Sequence, residues 1–61
     1  MSNMLTTKEI MLVSDLLTYE ENICKKAKLY SRILTDKILA EKVDKIAEIH
    51  RQNFQELFKL L

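Results

Sequence analysis

The chain contains no glycine and no proline among its 61 residues. These two residues are the strongest local signals of turns and strand boundaries, so their absence favours long uninterrupted helices. The apolar residues agree, because they recur in steps of three and four and therefore fall on one side of a helix. The sequence predicts an all-α chain.

The start of a first helix is marked by Thr6, which is followed three residues later by Glu9 in the spacing of a capping box. Leu5 and Ile10 occupy the two positions of a hydrophobic staple around this cap. No helix breaker follows before residue 34, so we predict a first helix over residues 7–34.

Two neighbouring rows of this helix are apolar, which is more surface than one partner helix can cover. The row expected to face a partner helix contains Ile10, Val13, Leu17, Glu20, Cys24, Ala27, Ser31 and Leu34. The second row contains Leu12, Leu16, Tyr19, Ile23, Tyr30 and Ile33.

The only plausible break in the pattern is the segment 34–37, where Thr35 or Asp36 can cap a second helix. We predict this helix over residues 37–61. The row expected to face the first helix contains Leu39, Val43, Ile46, His50, Asn53, Leu57 and Leu60. A neighbouring row contains Ala40, Ala47, Phe54, Phe58 and Leu61.

A connection this short makes the two helices antiparallel. A register centred on Thr35 places Glu20 opposite His50, near the middle of the hairpin. The same register predicts four further cross-helix pairs, namely Val13 with Leu57, Leu17 with Asn53, Cys24 with Ile46, and Ala27 with Val43.

A hairpin of this kind leaves apolar rows uncovered, and an exposed apolar patch of that length implies a partner. One core in so short a chain rarely stabilises the fold by more than about 3–5 kcal/mol, and a single cysteine cannot form an internal disulfide. We therefore predict that residues 1–61 form one helical hairpin, half of a homodimeric four-helix bundle. The residues predicted for the dimer interface or core are Leu12, Leu16, Tyr19, Ile23, Tyr30, Ala47, Phe54, Phe58 and Leu61.

Glu20 and His50 are the candidate site, because an acid and an imidazole replace apolar residues on facing rows. Two-fold pairing would bring together two of each, a set of nitrogen and oxygen ligands suited to one zinc or iron ion. Dinuclear bundles need a glutamate three residues before the histidine, and Ala47 stands there. The other interpretation, which we favour, is a buried structural pair that fixes register.

Several classes of function are excluded by composition. Ten basic and nine acidic residues are intermixed, giving a net charge of +1, whereas nucleic-acid binding normally needs a clustered basic face. No apolar run is long enough to span a membrane, and residues 1–4 lack the features of a signal peptide. One free cysteine fits a reducing, intracellular location. No phosphate loop or nucleophile–base set is present, so we predict that the chain is not an enzyme.

Two parts of the sequence resemble the spore coat protein F family. The first comprises residues 5–10, 15–17 and 20–21, and the second comprises residues 46–51, Phe54, Leu57 and residues 60–61. That family belongs to the ferritin-like helical bundles and occurs in endospore-forming bacteria. The resemblance covers about residues 4–61. It implies a ferritin-like hairpin doubled by dimerisation, a location in or around the spore coat, and other coat proteins as partners. Ala47 departs from the metal-binding form of the ferritin-like pattern.

Three hypotheses for function remain at this point. The leading one is a non-enzymatic structural protein that self-associates through its hairpin, as a spore-coat-type component. The alternative is a zinc- or iron-binding four-helix bundle that uses Glu20 and His50. The third is an adaptor that contributes one hairpin to the bundle of a larger partner.

Overall fold

The computed structural model of the protein describes residues 4–61, so the first three residues of the predicted single domain lie outside this range. Two helices form, α1 over Thr7–Ile33 and α2 over Lys37–Phe58, and no strand occurs in the described part. They pack against each other in a particle that measures 46 × 15 × 10 Å. The prediction of an all-α helical hairpin is confirmed.

The N-terminus of α1 carries the predicted capping box. The Thr6 hydroxyl oxygen accepts a hydrogen bond from the Glu9 backbone N–H at 3.1 Å, and the Glu9 carboxylate accepts one from the Thr6 N–H at 2.9 Å. Both contacts satisfy donors that a helix start leaves without a partner. The pKa of Glu9 is lowered because the Thr6 backbone N–H, and then its side chain, stabilise the ionised carboxylate.

The connection is short because extended backbone at Leu34 ends α1 and Asp36 immediately caps α2. The Asp36 carboxylate accepts a hydrogen bond from the Leu39 N–H at 2.9 Å, as expected of an N-cap. At its other end α2 stops at Phe58 rather than at residue 61. The N–H groups of Leu60 and of the last residue reach carbonyls only three residues back, so the chain ends in a tightened turn.

The seam between the helices is built around two alanines. Ala27 on α1 is 7% exposed and Ala47 on α2 is 0% exposed, and no other residue in the described range is as buried. Small side chains let the two backbones approach closely. The α2 residues that are at least half covered along this seam are Ala40, Val43, Ala47, His50, Phe54 and Leu57.

The predicted orientation of α2 about its own axis was therefore wrong in part. Leu39, Ile46, Asn53 and Leu60 were expected to face α1, yet all four are exposed. The neighbouring row that contains Ala40, Ala47 and Phe54 lies along the seam instead. For the same reason, the pairs predicted for Leu17 with Asn53 and for Cys24 with Ile46 do not form the core.

The hairpin has two open faces of opposite character, which follow from the turn of about 100° per residue around each helix. On one face Lys28 of α1 donates to the Asp44 carboxylate of α2 at 2.7 Å. The side chains around that contact are charged, and we name this the charged face: Glu21, Lys25, Lys28, Asp44, Glu48 and Arg51.

The opposite face is apolar, and we name it the apolar face. Its exposed members are Leu12, Leu16, Tyr19 and Tyr30 of α1 and Leu39 and Ile46 of α2, each between 46% and 56% exposed. Ile23, which lies in the same row of α1, is half-buried. The charged face and the apolar face thus lie on opposite sides of the alanine seam.

The accessible surface of the protein is correspondingly large. It amounts to 5058 Å² for a chain of 7.2 kDa, whereas a compact monomer of that mass exposes about 4,100 Å². The excess of roughly 900 Å² is close to what one partner buries in a standard protein–protein interface.

Candidate functional site

Glu20 and His50 meet across the seam, as the register predicted. The imidazole Nδ1 of His50 lies in hydrogen-bond contact with the Glu20 carboxylate oxygen Oε2. The Glu20 side chain is 12% exposed and that of His50 is 23% exposed, so both are largely withdrawn from water. Because Nδ1 is satisfied by the carboxylate, the second ring nitrogen, Nε2, is the one left for any further partner.

This arrangement has two chemical uses. A protonated Nδ1 donates to the carboxylate and removes the cost of leaving a charged group without a partner in a dry seam. The same contact orients an imidazole for metal binding, because histidines that bind a metal through one ring nitrogen usually donate the other N–H to a carboxylate. While this hydrogen bond is kept, Glu20 orients the imidazole ring of His50.

A single copy of the chain does not supply enough metal ligands at this position. Within residues 4–61 no group of three or more His, Cys, Asp or Glu side chains is close enough to hold an ion. Ala47, at the position where dinuclear bundles carry a glutamate, is fully buried against α1. Asn53, one turn after His50, is exposed. Glu20 and His50 of one chain are therefore too few to complete the ligand shell of a metal ion by themselves.

The pair lies beside the apolar face. Tyr19 precedes Glu20 on α1, and Ile46 lies one turn before His50 on α2, and both neighbours are exposed members of that face. A molecule covering the apolar face would therefore also cover the edge of the Glu20–His50 contact. The polar pair and the apolar face must be considered as one region.

The residues predicted for the interface or core divide into three groups. Ala47 is fully buried inside the hairpin, and Ile23 and Phe54 are half-buried. Phe54 also stacks on Phe58, with ring centroids 6.2 Å apart. The exposed ones are Leu12, Leu16, Tyr19, Tyr30, Phe58 and Leu61.

The charged face holds contacts that the sequence analysis missed. Arg51 donates from Nε to Glu48 Oε1 at 2.8 Å, and this bond lowers the pKa of the Glu48 carboxyl and raises that of the Arg51 guanidinium. Their spacing of three residues is the sequence signal that could have found the pair. The Lys28–Asp44 contact had no such local signal, because its partners lie on different helices.

Cys24 lines a shallow cavity of about 180 Å³ at the edge of the charged face, together with Glu21, Lys25, Arg51 and Phe54. Its thiol is free and half-buried. Arg51 already pairs with Glu48, so the cavity offers no unpartnered charge from that residue.

Neither helix of the described part is both long enough and apolar enough to cross a membrane. No family model, curated protein or solved structure matches the chain. The likeness to the spore coat protein F family stays a prediction from the residues quoted above.

Proposed function

We propose that this chain is a non-enzymatic assembly protein whose hairpin pairs with a second copy to complete a four-helix bundle. The observation that carries the proposal is the apolar face, where six large side chains from both helices remain about half exposed. Their common position on one side of the seam is what an interface requires, because scattered single apolar residues are normal on any surface.

The energetics of the isolated hairpin support the same conclusion. The only buried hydrophobic side chains in the described range are those of Ala27 and Ala47, and alanine side chains contribute little apolar area. Two-helix hairpins of this size commonly depend on association with another chain for their stability. A second copy would cover an area comparable to the roughly 800 Å² per partner of a standard interface.

In a cell, we propose that the paired hairpins act as a structural unit of a spore coat or a similar layer. This part of the proposal rests on the resemblance at residues 5–10 and 46–51 and on the absence of a catalytic set in the sequence. Other coat proteins are the proposed hetero-partners.

The dependence of folding on concentration tests the proposal. Because association stabilises only the folded state, the melting temperature followed by circular dichroism should rise steadily between about 1 and about 200 µM protein. A helical melt that does not move across that range would show that one hairpin is self-sufficient, and the proposal would fail.

The second candidate function is metal binding at the bundle centre, and the contact between Glu20 and His50 beside the apolar face favours it. Two copies would supply two imidazoles with free Nε2 atoms, and the carboxylates could orient the rings or turn to bind. Zinc or iron is the expected ion for such nitrogen and oxygen donors.

The test is a thermal melt with and without Zn²⁺ or Fe²⁺, together with elemental analysis of protein purified without chelator. Bound metal should raise the melting temperature of the natural chain and leave His50→Ala unchanged. Asn53→Ala is the matched control, because Asn53 is exposed one turn away and its loss should preserve the metal response. Absence of metal and of any stabilisation would eliminate this candidate.

A further inference from the structure

We propose that the partner on the apolar face is a second copy in the antiparallel orientation, with the two helix connections at opposite ends of the bundle. This inference rests on the proposed self-association and adds its geometry.

The height of the two-fold axis is set by the exposed row of α1. That row runs from Leu12 to Tyr30, with its midpoint at residue 21. The Glu20–His50 contact places residue 21 of α1 at the height of residue 49 of α2, so a two-fold axis through this height gives the largest overlap between the α1 rows of two copies. Leu39 and Ile46 of α2 lie before this height, and Leu60, which is 44% exposed in the turn after α2, lies beyond it.

In the antiparallel orientation, α1 lies against α1 of the second copy and α2 lies against its α2. Three charged residues on α1 border the apolar face on its outer side: Lys8, near the start of the helix, Asp15, six residues before the centre, and Lys26, five residues after it. Reversal about the centre therefore brings Asp15 of one copy beside Lys26 of the other. Because the dimer is two-fold symmetric, it contains two such contacts between Asp15 and Lys26.

The outer border of α2 also carries two opposite charges at equal distances from the centre. Lys42 and Glu56 lie seven residues on either side of Ile49. Both are exposed. The same reversal sets Lys42 of one copy beside Glu56 of the other, again twice. Opposite charges thus meet along both borders, in the manner of the flanking ion pairs that set helix orientation in coiled coils.

The parallel orientation would reverse the sign of these contacts. There α1 lies against α2 of the second copy at equal height, so Asp15 falls beside Glu56. Lys26 falls beside Lys42 and Lys45. Each exposed pair is weak alone, but one orientation gathers opposite charges and the other gathers like charges. The preferred orientation depends on the difference in association free energy between the antiparallel and the parallel dimer.

Distance measurement by pulsed electron paramagnetic resonance tests the geometry directly. A nitroxide label is placed on Thr35→Cys in a Cys24→Ser background, because Thr35 is exposed in the connection. It lies 14 residues from the centre, which is about 21 Å at 1.5 Å per residue. The antiparallel dimer therefore predicts a separation of about 42 Å between the two labels, and the parallel dimer about 20 Å or less.

The matched control carries the label on Asn22→Cys, which is exposed and close to the centre. A short distance at residue 22 with a long one at residue 35 supports the antiparallel dimer. Short distances at both positions overturn the orientation but keep the self-association. No dipolar coupling at either position overturns the proposed association itself.

Charge reversal gives a second, independent test. Asp15→Lys should weaken the dimer about tenfold, because two attractive contacts become repulsive. Adding Lys26→Asp should restore the affinity. Glu21→Lys on the charged face makes the same change in net charge and should leave the affinity nearly unchanged. A stronger dimer with Asp15→Lys, or no effect of it, would contradict the antiparallel arrangement.

Discussion

Replacement of Leu16 by alanine tests whether the apolar face is an interface. Leu16 is 49% exposed on that face, so a second copy would cover about half of its side chain. Full burial of a leucine is worth about 1.5–3 kcal/mol. Covering the remaining half therefore contributes about 0.7–1.5 kcal/mol per copy.

Because the dimer contains two copies, Leu16→Ala should remove about 1.5–3 kcal/mol from the free energy of association. Each 1.4 kcal/mol corresponds to a factor of ten in the dissociation constant, so the dimer should weaken roughly 10- to 100-fold. Sedimentation equilibrium measures this change, and circular dichroism confirms that the variant remains helical.

Leu29→Ala is the matched control. Leu29 is 51% exposed on the same helix, but it lies on the side of α1 that points away from both α2 and the apolar face. Both variants make the same change in helix propensity and nearly the same change in exposed area. Equal weakening by the two variants, or no weakening by Leu16→Ala, would refute the assignment of the interface.

Thr6→Ala should lower the stability by about 1 kcal/mol through loss of the N-cap, and Thr6→Ser should restore it in a urea titration. His50→Ala should lower it by about 1–3 kcal/mol, because the Glu20 carboxylate loses its partner in the seam. Replacing Glu20 and His50 together by leucine should be nearly neutral or stabilising, and a loss equal to that of His50→Ala would contradict this reasoning. Arg51 lowers the pKa of Glu48, so this pair adds stability above the ordinary pKa of a glutamate and loses it as the pH falls through the lowered value. The stability difference between the natural chain and Glu48→Gln should therefore shrink between neutral pH and about pH 3, and a constant difference would exclude the pair as its source.

The helix starts and the hairpin could be predicted because their signals are local. The Thr6 cap and the break before Asp36 each depend on side chains within a few residues of the backbone they bind. The meeting of Glu20 and His50 followed from the short connection alone, since antiparallel pairing leaves little freedom in register.

The rotation of α2 could not be predicted in the same way. Hydropathy ranks Leu39 and Ile46 above Ala40 and Ala47, so the sequence pattern predicts the larger residues in the seam. Close approach of two helices favours the small residues there, and the larger ones remain on the surface. Two residues predicted for the interface or core, Ala47 and Phe54, therefore lie along the seam. On α1, Ile23 is half-buried and the other predicted interface residues are exposed.

The mass of the protein in solution tests the central claim most directly. Light scattering on a size-exclusion column at increasing protein concentration should give twice the chain mass of 7.2 kDa, with helical content retained. A folded helical species that keeps the mass of a single chain at every concentration would contradict the account.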